Sequence, residues 1–317
     1  MVKKVILEVP HRISGFFEIV DEIKGTKIEN PEHIGSRGAG FNLSALGRTE
    51  ILIEDLDKGD ISHCVIKINN EEVNEKAETT TFIFDTIKKL IKNPLTIRIN
   101  HYFDLPVGCG YGASGAGALG AILGLDKILN LNLGILEKGR IAHIAEVVNR
   151  TGLGTVCGQL AGGLCMLKEP GYPCSFEVIP IPKDIIVICG TFGMIHTKSI
   201  LTDPELNKNI KEAGRNALSK LITEPSIHTF MKASRYFVEK TRILDILNLN
   251  EVKELIDGLN QLNIIGACMN QLGRSVYAIC RKKQEKEVIE VFQSFKPKIK
   301  IFHSSINKQG PQIIRSE

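Results

Sequence analysis

The sequence predicts an α+β protein of two domains with mixed or antiparallel sheets. Three observations carry this expectation. A chain of 317 residues is long for one hydrophobic core and short for three. Its first half alternates β-branched, period-two stretches with loops and few helical runs. A proline-rich break near residue 170 then precedes a second half that is mostly helical and closes in strands.

The elements follow in order. Strands are expected at residues 5–9, 15–20, 41–46, 51–54, 64–68 and 95–100, where Val, Ile, Leu and Phe recur in short runs. Helices are expected at 80–92, with Phe82, Ile83, Ile87, Leu90 and Ile91 on one face, at the alanine-rich stretch 116–129, and at 136–148. Lys168-Glu169-Pro170-Gly171-Tyr172-Pro173 and Pro180-Ile181-Pro182 interrupt the pattern, which divides the chain into domains 1–170 and 171–317. Beyond the break come a strand at 185–189, helices at 204–221, 226–240 and 250–259, and strands at 276–280 and 299–303 flanking a helix at 285–295.

Composition narrows the function classes. With 43% hydrophobic and 24% charged residues the chain reads as a soluble globular protein, and its net charge of +4 is dispersed among alternating Lys and Glu. No basic and aromatic stripe calls for nucleic acid, and no apolar run approaches the length of a membrane span. The opening Val2-Lys3-Lys4-Val5 reads as a strand rather than a signal peptide, so a cytoplasmic location is expected. Eight scattered cysteines without a C-x-x-C pair are expected to be reduced thiols, mostly buried.

The chemistry is concentrated in Leu105-Pro106-Val107-Gly108-Cys109-Gly110-Tyr111-Gly112-Ala113-Ser114-Gly115-Ala116-Gly117-Ala118. Glycines let the backbone approach a ligand and adopt positive φ, and the following helix directs free N–H groups and its positive dipole end at whatever sits there. That is a phosphate cradle; the plainer reading is a tight turn before a buried helix. No lysine lies between Arg98 and Lys127, so this is not a Walker A loop, and the formal G-x-G-x-x-G match is weak evidence for a dinucleotide.

The pattern Pro-x-x-x-Gly-x-Gly-x-Ser-Gly-Ala resembles the central motif of the GHMP kinases. Further blocks at 10–17, 35–41, 142–156 with Gly162-Gly163, 197–201 and 266–277 resemble the archaeal pantoate kinase branch of that superfamily, spanning nearly the whole chain. The resemblance implies a two-domain GHMP fold, with an N-terminal domain of the ribosomal S5 domain 2-like type and a C-terminal α+β domain. It implies transfer of the γ-phosphoryl group of ATP to (R)-pantoate with Mg²⁺, on the archaeal route to coenzyme A.

Residue by residue, the resemblance places ATP on Pro106, Gly108, Gly110, Gly112, Ala113, Ser114, Gly115, Ala116 and Gly117. It places the metal on Ser114 and Glu146. An anionic acceptor needs a cation or hydroxyl donors, for which Arg37 and Ser36 stand first and Arg12, Ser14 and Lys198 follow. Two departures stand out. Pro10-His11-Arg12 has His where the family carries Gly and Arg where it carries His; and Thr155 occupies the position of the aspartate expected as general base.

A threonine hydroxyl cannot accept a proton at neutral pH. The proton then leaves late, to a phosphate oxygen or water; or His143, His11 or Asp104 takes it; or the chain has moved to another hydroxy acid or to slow turnover. Competing functions are a GHMP-type kinase for a homoserine- or mevalonate-like acceptor and a catalytically silent nucleotide-binding protein. A homodimer is expected by analogy alone.

Overall fold

A computed structural model describes residues 3–54, 62–73, 77–195 and 204–317. In chain order the first part comprises β1 (Lys4–Val20), a small hairpin of β2 (Glu22–Ile23) and β3 (Thr26–Lys27), β4 (Gly35–Glu54), β5 (His63–Ile68), β6 (Glu71–Glu72), α1 (Glu78–Ile87), β7 (Thr96–Phe103), α2 (Ala113–Leu129), α3 (Ile135–Asn149), α4 (Thr155–Ala161), β8 (Leu164–Leu167) and β9 (Phe176–Ile179). The second comprises β10 (Ile185–Thr191), α5 (Pro204–Thr223), α6 (Ile227–Thr241), α7 (Ile243–Ile246), α8 (Asn250–Asn260), β11 (Gly266–Asn270), β12 (Ser275–Arg281), α9 (Glu285–Gln293), β13 (Lys300–Ser304) and β14 (Gln312–Ser316).

The large sheet runs β14-β1-β4-β7-β5-β6, with β8 and β9 continuing from β4; β5 and β7 are parallel and the other pairs antiparallel. The second sheet, β11-β12-β10-β13, is wholly antiparallel. The fold is therefore the α+β arrangement expected.

Two long strands replace four expected short ones. β1 and β4 stay paired from Lys4↔Leu52 to Val20↔Gly35, through an irregularity between Pro10 and Arg12 and another between Ser14 and Phe16. Gly15 opens an expected strand while Gly35, Gly38 and Gly40 lie outside the expected ones, and in the paired strands glycine serves close approach. A Cβ at Gly15 would overlap Ser234 and the Phe230 ring, which lie in the second domain.

Helix α2 packs on the face of β1 and β4 although Gly and Ala are poor core fillers. Gly120 and Gly124 let it descend until a Cβ at either would overlap Thr49 or Ile51, and the Leu7, Ile51, Leu119, Ile122 and Leu125 side chains close one core. A second core joins Ile13, Phe16 and Phe41 of the large sheet to Phe230 and Phe237 of α6 and Tyr277 of β12.

The first sheet draws on both sides of the expected break. β9 pairs with β8 beyond residue 170, and β14 returns from the C-terminus to pair with β1, so the first sheet takes residues from both ends. The cysteine expectation is corrected. Cys157 on α4 and Cys174 are disulfide-bonded, with Cα atoms 5.5 Å apart, because the loop after β8 folds back over α4. The other six are free, five of them buried and Cys64 partly so. Removing this cross-link, which spans 17 residues, should lower stability by about 3 kcal/mol. Urea unfolding with and without reductant measures it, and alkylation of the urea-unfolded chain without reductant should label six thiols rather than eight.

Candidate active site

The glycine-rich loop ends β7 and launches α2 as the sequence indicates. Gly108, Gly110 and Gly112 all have positive φ, 76°, 84° and 67°, and Gly112 is the residue immediately before α2. Gly110 has a second reason to be glycine: the turn between β11 and β12 crosses it, and a Cβ would meet the Gln271 carbonyl at 2.8 Å. Gly115, Ala116 and Gly117 follow in α2, are buried, and are not among the residues bordering the cleft over the loop.

A cleft of about 420 Å³ opens over the loop, bordered by Gly108, Gly110, Gly112, Ala113 and Ser114. A smaller pocket of about 60 Å³ adjoins it, bordered by Ser36, Arg37, Gly38, Ala39 and Leu167. Arg12, Ser14, Thr151, Thr155, Gln271 and Leu272 border both, so the two form one groove with the glycine-rich loop at one end and a smaller pocket of mixed apolar and polar lining at the other. Pro106 is not among the bordering residues, and Lys198 lies outside the described residues.

Glu146 stands beside the start of α2. It is 1% exposed; Thr151 donates its hydroxyl hydrogen to Oε1 at 2.9 Å, and Oε2 has no hydrogen-bond partner. Glycines at 115 and 152 leave the space around Oε2 open, since a Cβ at 115 would come within 3.2 Å and one at 152 would overlap it. Burial raises the carboxyl above its ordinary pKa, and the Ser114 and Thr151 hydroxyls oppose that rise. A buried carboxylate oxygen without a partner, next to a serine hydroxyl at a helix mouth, fits a hard divalent cation.

The candidate cations differ in availability. Arg37 donates from Nε and an Nη to Glu18 at 3.0 and 2.6 Å, and Arg215 donates to the other Glu18 oxygen at 3.1 Å. Arg12 is 3% exposed and donates to Asn42 Oδ1 at 3.2 Å and Cys165 Sγ at 3.4 Å. Gly158 makes room for it, because any side chain there would occupy the guanidinium's place.

None of the alternative bases reaches the groove. His11 is buried, its Nδ1 2.9 Å from the Tyr111 carbonyl and its Nε2 accepting from the Leu105 N–H at 3.4 Å. His143 places Nε2 2.9 Å from the Ile34 carbonyl, and Asp104 accepts from the Leu46 N–H at 2.8 Å. Burial lowers the pKa of both imidazoles. Thr155 opens α4 on the border of both pockets, and no carboxylate is among the residues bordering either. Sequence reasoning did not single out Arg150, Thr151, Gln271 or Leu272. Arg150 and Thr151 sit between two motif glycine-and-acid signals, and Gln271-Leu272 arrives from a turn remote in sequence.

Comparison with known proteins agrees with this geometry. The pattern of the GHMP kinases N terminal domain matches residues 80–163, which cover the loop, α2, α3 and α4. A solved structure described as a phosphotransferase related to the CoA biosynthesis pathway superposes with a TM-score of 0.86 at 28% identity, over 98% of this chain and 99% of that one. Fold and groove thus define a small-molecule kinase of the GHMP class. The pantoate kinase of Thermococcus kodakarensis is 31% identical over 88% of each chain, and that of Methanocaldococcus jannaschii is 30% identical over 90% of this chain and 96% of its own. The chain belongs to the pantoate kinase family.

Two variants test the site. Glu146→Gln should cut turnover by about 10²–10³-fold, measured as ADP release. Because the native carboxyl has a raised pKa, its charged form opposes folding, and stability falls as pH rises from the ordinary carboxylate range through the folded value. The Gln variant should therefore melt no lower than the parent at neutral pH without divalent cation, by calorimetry. Gly112→Ala, at φ 67° and 3.0 Å from Thr155 Cγ2, should cost about 1 kcal/mol and weaken ATP binding.

Proposed function

We propose that this chain transfers the γ-phosphoryl group of ATP to the terminal hydroxyl of (R)-pantoate, giving 4-phosphopantoate for coenzyme A synthesis, and that the reaction is Mg²⁺-dependent. The observation that carries this is the single groove with a phosphate cradle at one end, a small pocket that sets Ser14, Ser36 and Arg37 among apolar side chains at the other, and the buried Glu146 carboxylate beside the cradle. Family membership supports the acceptor.

In this reading the N–H groups at the start of α2 hold the β- and γ-phosphates, with the dipole of a seventeen-residue helix behind them. Ser114 and Glu146 Oε2 hold the cation, which when bound neutralises phosphate charge. Ser14 and Ser36 offer hydroxyls to the acceptor in the smaller pocket, and Arg37 keeps one nitrogen beyond its pair with Glu18 for the acceptor carboxylate. Arg12 adds positive charge behind that wall.

Chemistry then depends on position and electrostatics more than on a base. The acceptor hydroxyl loses its proton late, to a phosphoryl oxygen or water, because a loose transition state places little demand on proton removal. Thr155 is compatible with that route. No described helix is long and apolar enough to cross a membrane; the reading places the reaction in the cytoplasm, with a homodimer as the expected assembly.

The test is ADP release with Mg-ATP and a panel of (R)-pantoate, (S)-pantoate, homoserine, mevalonate and pantothenate. Turnover on (R)-pantoate alone is expected. Turnover on homoserine or mevalonate instead would keep the mechanism and overturn the acceptor, and ATP binding without turnover on any acceptor would overturn the kinase reading.

A further inference from the structure

The groove has a cradle of N–H groups and one buried carboxylate, but a triphosphate approaching transfer also needs a mobile positive charge. Two arginines border the cradle end. Arg12 is 3% exposed and its guanidinium is engaged by Asn42 and Cys165. Arg150 is exposed, borders the same cleft as Gly108, Gly112 and Ser114, and pairs with no carboxylate among the described residues.

Its root is firmly placed. Arg150 ends α3 in the left-handed conformation, φ 54° and ψ 38°, with its N–H shared between the Glu146 and Val147 carbonyls. The next residue, Thr151, returns its N–H to the Glu146 carbonyl at 3.0 Å and its hydroxyl to Glu146 Oε1 at 2.9 Å. One turn therefore fixes both the carboxylate suited to the cation and the base of a long cationic side chain bordering the phosphate loop.

We propose that Arg150 is a catalytic residue whose guanidinium bonds the oxygens of the γ-phosphoryl group during transfer. The proposal rests on the kinase reading above. A bond forms from the acceptor hydroxyl oxygen to the γ-phosphorus as the bond to the β,γ-bridging oxygen breaks. ADP leaves with that oxygen and its electron pair, and the hydroxyl proton passes to a phosphoryl oxygen. In such a loose transition state charge gathers on the equatorial oxygens, where an arginine supplied in cis acts most strongly. A groove with Thr155 in place of a carboxylate depends on that neutralisation rather than on a base.

Arg150→Asn is the informative variant, because asparagine tolerates the left-handed backbone that this position requires. Its kcat should fall about 10²–10³-fold while KM for pantoate stays within about threefold. Arg150→Lys should lie between, millimolar guanidinium should restore part of the Asn variant's rate, and the melting temperature should not move. An Asn variant with kcat within about threefold of the parent would overturn the proposal. If the parent phosphorylates no acceptor, the kinase reading fails separately, and calorimetry still decides on the contact. ATP affinity lowered about tenfold in Arg150→Asn with AMP affinity unchanged supports it, and unchanged ATP affinity sinks it.

Discussion

The depth at which α2 sits on the large sheet governs the groove. Gly120 and Gly124 remove the side chains that would hold the helix away from Thr49, Ile51 and Leu7, and the apolar residues around them close the core. Glycine lowers intrinsic helix propensity by roughly 1 kcal/mol per position relative to alanine, so α2 is stabilised by packing rather than by its own sequence. With α2 fixed, its first turn and the phosphate loop are fixed. α3 packs beside it and delivers Glu146 to the same place. A carboxylate that is costly to bury is held there by Thr151 and by the absence of side chains at 115 and 152.

That dependence explains what could be read from the residues alone. The loop and its helix were legible because glycine spacing is a local signal, Glu146 only through the family resemblance because an acid on a helix turn is by itself usually just solvated, and the α+β class followed from periodicity. The merged strands β1 and β4 were not, since Gly38 and Gly40 fall outside the expected strands until the β1 backbone and Arg12 are brought against them. Helix α4 was missed because seven residues between glycines carry little periodicity. Arg37 was legible as a cation near the pocket, but its partner Glu18 lies on the neighbouring strand, and only the β1–β4 register, Glu18↔Arg37, puts them together. The Cys157–Cys174 bond was invisible for the same reason: it depends on the loop after β8 turning back over α4.

The balance of charge in the groove differs from what a base mechanism needs. Glu146 is the buried acid, Arg37 is largely answered by Glu18, and Arg12 is a buried cation with neutral partners. An ionised side chain buried without a counter-ion is unfavourable by several kcal/mol unless hydrogen bonds or a ligand offset it. The groove therefore favours an anion more than one carrying a carboxylate at 155 would. Substrates that bring phosphate and carboxylate into the groove supply the missing negative charge themselves. Thr155 and Arg12 are then consistent with each other: a neutral residue at 155 leaves the positive field undiminished at the point where both pockets meet.

The second domain completes the site through backbone rather than through charge. The turn after β11 lays Gln271 and Leu272 across both pockets; Gly273 is packed so closely on the Cys109 carbonyl that a side chain there would overlap it, and Ser275 donates to that same carbonyl at 2.8 Å. Gln271 donates its N–H to the Ser14 carbonyl at 3.2 Å and its side chain to that of Gly15 at 3.1 Å. The phosphate loop is thus clamped between α2 on one side and a turn some 160 residues later on the other. β14, the last strand, pairs with the first, which binds the chain's end into the sheet that carries Arg12 and Ser14. Such wiring makes the cradle a product of the whole fold: its glycines supply permissive backbone, but their conformation is imposed by contacts from both domains, and the groove cannot assemble from the N-terminal half alone.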